Sequence, residues 1–198
     1  MRLRTSFTIA ALALAACAGV DDDAPEAAVI DADPQLVFWA ALESLCGQAF
    51  AGSIVESEPP DEAFEGQAMV MHVRECSAGE IRVPFFVGED RSRTWVVTTT
   101  GTGLRLKHDH RHEDGSEDEV TQYGGDSVGR GTNTSQDFPA DDFTAELVPT
   151  AANNVWTVEI EPGVMFAYAL RREGSDRRFR VEFDLTRPID TPPAPWGS

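Results

Sequence analysis

Thr94-Trp-Val-Val-Thr-Thr-Thr-Gly-Thr-Gly-Leu-Arg-Leu-Lys-His-Asp-His-Arg-His112 holds two alternating runs around a Thr-Gly-Thr-Gly turn. Successive side chains of a strand point to opposite faces. In the second run Leu104, Leu106, His108, His110 and His112 fall on one face, and Arg105, Lys107, Asp109, Arg111 and Glu113 on the other. The second set is wholly charged and reads as the solvent face. The first is a core face that changes from leucine to histidine along its length, towards the tip at Asp114-Gly115. An antiparallel hairpin with one wet and one buried side separates such faces.

Outward from this hairpin the same grammar recurs. Period-two alternation predicts further strands over residues 49–56, 67–75, 80–87, 119–124, 154–160, 164–171 and 178–185. Turns are marked by Ser77-Ala-Gly79, Gly88-Glu-Asp90, Asp114-Gly-Ser116 and Glu161-Pro-Gly163. Asp33-Pro34 reads as the cap and first residue of one helix, with Phe38, Leu42 and Leu45 at i, i+4 and i+7 and Gly47 as its stop. Residues 126–150 are the least regular, with Phe138-Pro-Ala-Asp-Asp-Phe143 read as a cap or lining that includes a short helix. The fold expected is all-β with one N-terminal helix: an antiparallel meander closing into an up-and-down β-barrel, which removes unpaired edges. A two-sheet β-sandwich is the alternative. A short helix followed by Leu45-Cys-Gly-Gln-Ala-Phe-Ala-Gly52 and strands resembles the opening of lipocalin-like (calycin) barrels.

Residues 1–17 read MRLRTSFTIAALALAAC. Arg2 and Arg4 form a positive start, the apolar run over residues 7–16 is too short to span a bilayer, and small residues lead into a cysteine. Leu14-Ala-Ala-Cys17 resembles the lipobox of bacterial lipoproteins. That resemblance implies cleavage before Cys17, lipidation of Cys17 and, with Ala18 rather than aspartate following, an outer-membrane anchor facing the periplasm. An ordinary secretory site, giving a secreted soluble protein, is the other reading. The organisation expected is a signal peptide over 1–16, a lipid-anchored flexible tether over 17–33, a single barrel-like domain over 34–187 and a proline-rich disordered tail over 188–198.

The chain carries 34 acidic against 16 basic residues, a net charge of −18. Loss of the signal, with its two arginines and no acid, deepens this to −20. Such a chain repels phosphate backbones and anionic headgroups, so nucleic acid is excluded as a partner and the membrane is reached only through the lipid. With Cys17 assigned to lipid, Cys46 and Cys76 remain as a disulfide pair suited to an oxidising compartment. No CxxC spacing or adjacent histidine favours a cysteine metal site.

The histidine face is the candidate site. Pairing across an even-length loop at Gly101-Thr102 sets Trp95 opposite His108, Arg93 opposite His110 and Arg91 opposite His112. Arg91, Arg93, Trp95, His108, His110 and His112 would then line one mouth, an anion-binding arrangement above an interior drawing on Val70, Phe85, Trp95, Val97 and Leu106. A three-residue bulged loop would turn both arginines outwards. Alternatively His108 and His110, roughly 6.5–7 Å apart along the strand, pinch a zinc or copper ion with ligands from other strands. The acidic tip over residues 113–119 lacks the spacing of an EF-hand loop and reads as solvated charge. No GxSxG, HExxH, P-loop or dinucleotide fingerprint occurs, so an enzyme is not expected. The function expected is binding of a small anionic or amphipathic molecule without a cofactor. Divalent metal binding and a structural or assembly role without ligand are the alternatives.

Several strings resemble a group of uncharacterised bacterial secreted proteins: Leu45-Cys-Gly-Gln-Ala-Phe50, Val87-Gly-Glu-Asp-Arg-Ser-Arg-Thr-Trp95, Leu106-Lys-His-Asp-His-Arg-His-Glu-Asp-Gly115 and Tyr123-Gly-Gly125. The resemblance implies a shared fold and brings no activity with it.

Overall fold

In the computed structural model the hairpin takes the even register: Thr99 faces Leu104, Val97 Leu106, Trp95 His108 and Arg93 His110. The structure describes residues 32–198; the expected signal peptide, the lipidation of Cys17 and nearly all of the tether lie outside the described residues. The order of elements is α1 (Pro34–Glu43), β1 (Ala49–Glu58), β2 (Met69–His72), β3 (Glu75–Cys76), β4 (Glu80–Val87), β5 (Asp90–Thr99), β6 (Leu104–His110), β7 (Tyr123–Asp126), β8 (Ser135–Pro139), α2 (Asp142–Leu147), β9 (Asn154–Glu161), β10 (Met165–Arg172) and β11 (Arg178–Ile189). A 3-10 turn, Pro149–Ala151, joins α2 to β9.

The sheet is antiparallel, in the order β7-β6-β5-β4-β2-β1-β11-β10-β9-β8, with β3 paired to β4. It is the expected meander, joined to itself through β1 and β11 and nearly closed into a barrel. The seam falls between β7 and β8, where Asp141 N–H donates to Gly124 O at 2.9 Å and Val128 N–H to Asp137 O at 3.3 Å. Gly125 permits this approach, and Gly124 the approach of β7 to β6 on its other side. A Cβ on Gly125 would stand 1.8 Å from Pro139 O, and one on Gly124 2.0 Å from Leu106 O. The Tyr123-Gly-Gly125 string is therefore a closure device.

One end is sealed. Asp33 caps α1 through its side chain, with Pro34 in the first turn. The helix buries Phe38 and Leu42 completely, against a core that includes Phe50, Phe138, Phe166 and Phe183. Gln35 Nε2 donates to Ser127 Oγ at 2.9 Å, holding α1 to the end of β7. The Cys46–Cys76 disulfide, spanning 30 residues, ties the segment after α1 to β3 at the same end. No helix among the described residues is long and apolar enough to cross a membrane.

Four local expectations are corrected. Ser135–Pro139 is a strand within the stretch read as irregular; at five residues with a terminal proline it is too short to show a period. In β2 it is Met69 and Met71 that enter the core, while the expected interior residue Val70 is half-buried on the other face. The outer face of β6 is charged as expected, yet Asp109 is only 4 % exposed, held by the guanidinium groups of Arg82 and Arg111. The tail expected to be disordered returns against β5 instead. Trp196 N–H donates to Arg91 O at 3.1 Å, Arg74 Nη1 donates to Ser198 Oγ at 2.7 Å, and Pro195 is buried. Proline cannot donate to a ladder, but it can lie along an outer face, and that face of β5 carries the buried Thr94 and Val96.

Candidate functional site: a cavity at the open end

At the end opposite α1, where β5 and β11 begin and β6 and β10 finish, the interior is hollow. A cavity of about 310 Å³ lies there, within the size range of small-molecule pockets. Its depth is aromatic because the inward faces of distant strands converge on it. Trp95 of β5 stacks on Tyr168 of β10, ring centroids 4.4 Å apart, and on Phe85 of β4 at 4.8 Å. Tyr123 of β7 stacks on His108 at 4.3 Å, and Trp156 of β9 closes the same side at 5.1 Å from His108. Phe64, from the segment between β1 and β2, leans on Phe179 of β11 at 5.2 Å.

His108 is 2 % exposed and both its ring nitrogens are engaged. Nδ1 lies 3.0 Å from the Tyr123 carbonyl, which can only accept, so Nδ1 carries the proton. Nε2 then accepts from Tyr168 Oη at 2.7 Å. Burial pushes the His108 pKa down to about 3 and the Tyr168 pKa far up, so both are neutral around pH 7. Burial also raises Tyr123, to about 12. At the floor of the cavity the His108–Tyr168 pair is uncharged and mutually satisfied.

His110 sits higher, its Nε2 3.2 Å from Tyr123 Oη. Burial, then the Arg93 charge, lowers its pKa. The two histidines expected to pinch a metal do share a face, but a cation at His108 Nε2 would have to displace the Tyr168 hydroxyl. His72 is opposite Ala49, at the sealed end. Among the described residues no group of three His, Cys, Asp or Glu is arranged to hold a metal ion.

The rim carries the charge. Arg93 pairs with Asp90 and lies over the Phe64 ring, 5.4 Å from its centroid. Arg177 faces Asp61 at 4.0 Å. Arg172 instead bonds the buried Asn154, Nε to Oδ1 at 2.9 Å.

Of the six residues expected at one mouth, Arg93, Trp95, His108 and His110 line the cavity. Arg91 and His112 do not. Arg91 Nη1 reaches Ala194 O at 3.4 Å, and His112 is exposed beside Asp118. The β5–β6 pairing stops at Arg93–His110, after which Arg111 bridges to Glu117 and the chain folds back on its own hairpin. The residues that sequence reasoning missed are Tyr123, Trp156, Tyr168 and Phe179, with Arg172 and Arg177 at the rim. A signal was present for some of them: alternation puts Phe166, Tyr168, Leu170 and Arg172 on one face of β10, apolar below and cationic at the end. Comparison with protein-family models, with curated proteins and with solved structures finds no match to this chain.

Proposed function

We propose that this chain is an exported, lipid-anchored envelope protein whose barrel binds a small amphipathic molecule at its open end. The observation that carries the reading is the cavity of about 310 Å³ with an aromatic, uncharged floor and charged side chains confined to the rim. A site of this kind takes an apolar body without unpairing His108 and Tyr168, which already satisfy one another. The lipobox resemblance of Leu14-Ala-Ala-Cys17 supports the anchor and the outer-membrane address. The metal reading has less support, since the His108 nitrogens are both committed and, among the described residues, no group of three His, Cys, Asp or Glu is arranged to hold an ion.

The test is saturable binding of an apolar fluorophore such as Nile red, followed by its own emission and by tryptophan quenching. One-to-one binding is expected, weakened about tenfold or more in Val148→Trp, which puts a much larger side chain into the cavity lining. Binding that is unsaturable, or indifferent to Val148→Trp, would refute the reading.

A further inference from the structure

We infer that the ligand has a planar aromatic body and a carboxylate, and that Arg172 receives the carboxylate. This rests on the reading of the cavity as a ligand site and names the ligand's chemistry. In a chain with 34 acidic residues, guanidinium groups are matched as a rule. Arg93 and Arg177, on the same rim, each face an aspartate. Of the three arginines that line the cavity Arg172 is the exception: among the described residues no carboxylate lies within 4.0 Å of it, as is also true of Arg91 and Arg178 outside the cavity. It is nonetheless held in place. Asn154 is 5 % exposed and accepts from Arg172 Nε, which fixes the guanidinium plane and leaves Nη1 and Nη2 as an end-on fork. Two coplanar oxygens suit that fork. The singly charged carboxylate is preferred over phosphate because Asp61 shares the rim and the whole chain is acidic.

The body follows from what lies below. On β10, Leu170 and Tyr168 succeed Arg172 on the same inward face, so a head group at the fork directs the rest of the ligand onto the Tyr168–Trp95 stack. Beside that stack Trp156, next to Leu170 on the neighbouring strand, packs against Tyr123 with ring centroids 5.6 Å apart. A floor made of rings favours a flat π-system, which offers them its face or edge, over a flexible chain. The floor offers no charge, so the charge of the ligand is placed at the rim.

Matched probes test this on the whole purified protein by calorimetry and tryptophan quenching: benzoate against benzamide, 2-naphthoate against 2-naphthamide, with octanoate and 2-naphthylphosphonate as further arms. The better-fitting carboxylate is expected to bind about tenfold or more tighter than its amide. Arg172→Gln removes that preference, weakening the carboxylate much more than the amide, and Arg172→Lys restores part of it. Thermal melting of each variant confirms that it is folded. Equal binding of acid and amide, still weakened by Val148→Trp, overturns the Arg172 assignment and leaves the cavity reading standing. Octanoate binding as tightly as naphthoate overturns the aromatic body, and a tighter phosphonate overturns the carboxylate. No binding by any probe overturns both this inference and the reading beneath it.

Discussion

His108 makes the stability of the barrel depend on pH, in an amount that the structure allows to be worked out. In the unfolded chain its pKa is about 6.5; in the barrel, burial lowers it to about 3. As pH falls, the unfolded chain takes up the proton first. The contribution is therefore fully present above about pH 6.5 and is lost progressively towards pH 3. Between about pH 7.5 and about pH 5 the loss from this one group is about 2 kcal/mol. Few carboxylates titrate in that window, but His72 and His110 also have lowered pKa values, chiefly from burial, and add to the loss in the same direction. The His108 share is isolated by comparison with His108→Gln. Urea denaturation at the two pH values should show wild type losing about 2 kcal/mol more than the variant. An NMR titration of the wild-type imidazoles should show one ring that stays neutral through the whole window. Equal pH dependence in the two proteins, or a His108 midpoint near its ordinary value, would refute the neutral, Tyr168-bonded ring on which the uncharged floor depends.

Two further outcomes are expected. Replacing both Cys46 and Cys76 by serine opens a link spanning 30 residues and should cost about 3–4 kcal/mol in non-reducing denaturation; an unchanged midpoint would show that the link does not constrain the unfolded chain. Cys17→Ala should abolish incorporation of a fatty-acid analogue and leave the protein with an uncleaved or differently cleaved N-terminus by mass spectrometry, whereas labelling retained in the variant would remove the lipobox reading.

Much of the barrel is legible in the chain because face assignment is local. Leu104, Leu106, His108 and His110 share a face through the geometry of consecutive peptide units, whatever surrounds them. Asp33-Pro34 starts a helix for equally local reasons, whereas the turn at Thr100–Gly103 left two registers open and only the structure set Trp95 opposite His108. The failures have two causes. Val70 against Met69 and Met71 is a matter of phase, and a four-residue strand full of apolar side chains does not declare which phase is inward. Arg91 and His112 are on the expected face by count, but the ladder ends before reaching them, at a point set by the fold-back of the hairpin onto Glu117.

By itself, then, the sequence determined the all-β class, the single N-terminal helix, the two-faced character of the histidine strand and the cysteine pair. Each depends on periodicity, on turn chemistry or on a short inventory of residues. Only the tertiary structure decided that Trp156 and Tyr168 stand around His108, that His108 is a neutral hydrogen-bonding ring, and that Arg172, of the arginines lining the cavity, is the one without an acidic partner. Those facts depend on which strands become neighbours when the sheet bends back to the Gly124-Gly125 seam. Closure brings together side chains far apart in sequence, and no local pattern encodes the distance between a guanidinium on β10 and the carboxylates of the other strands.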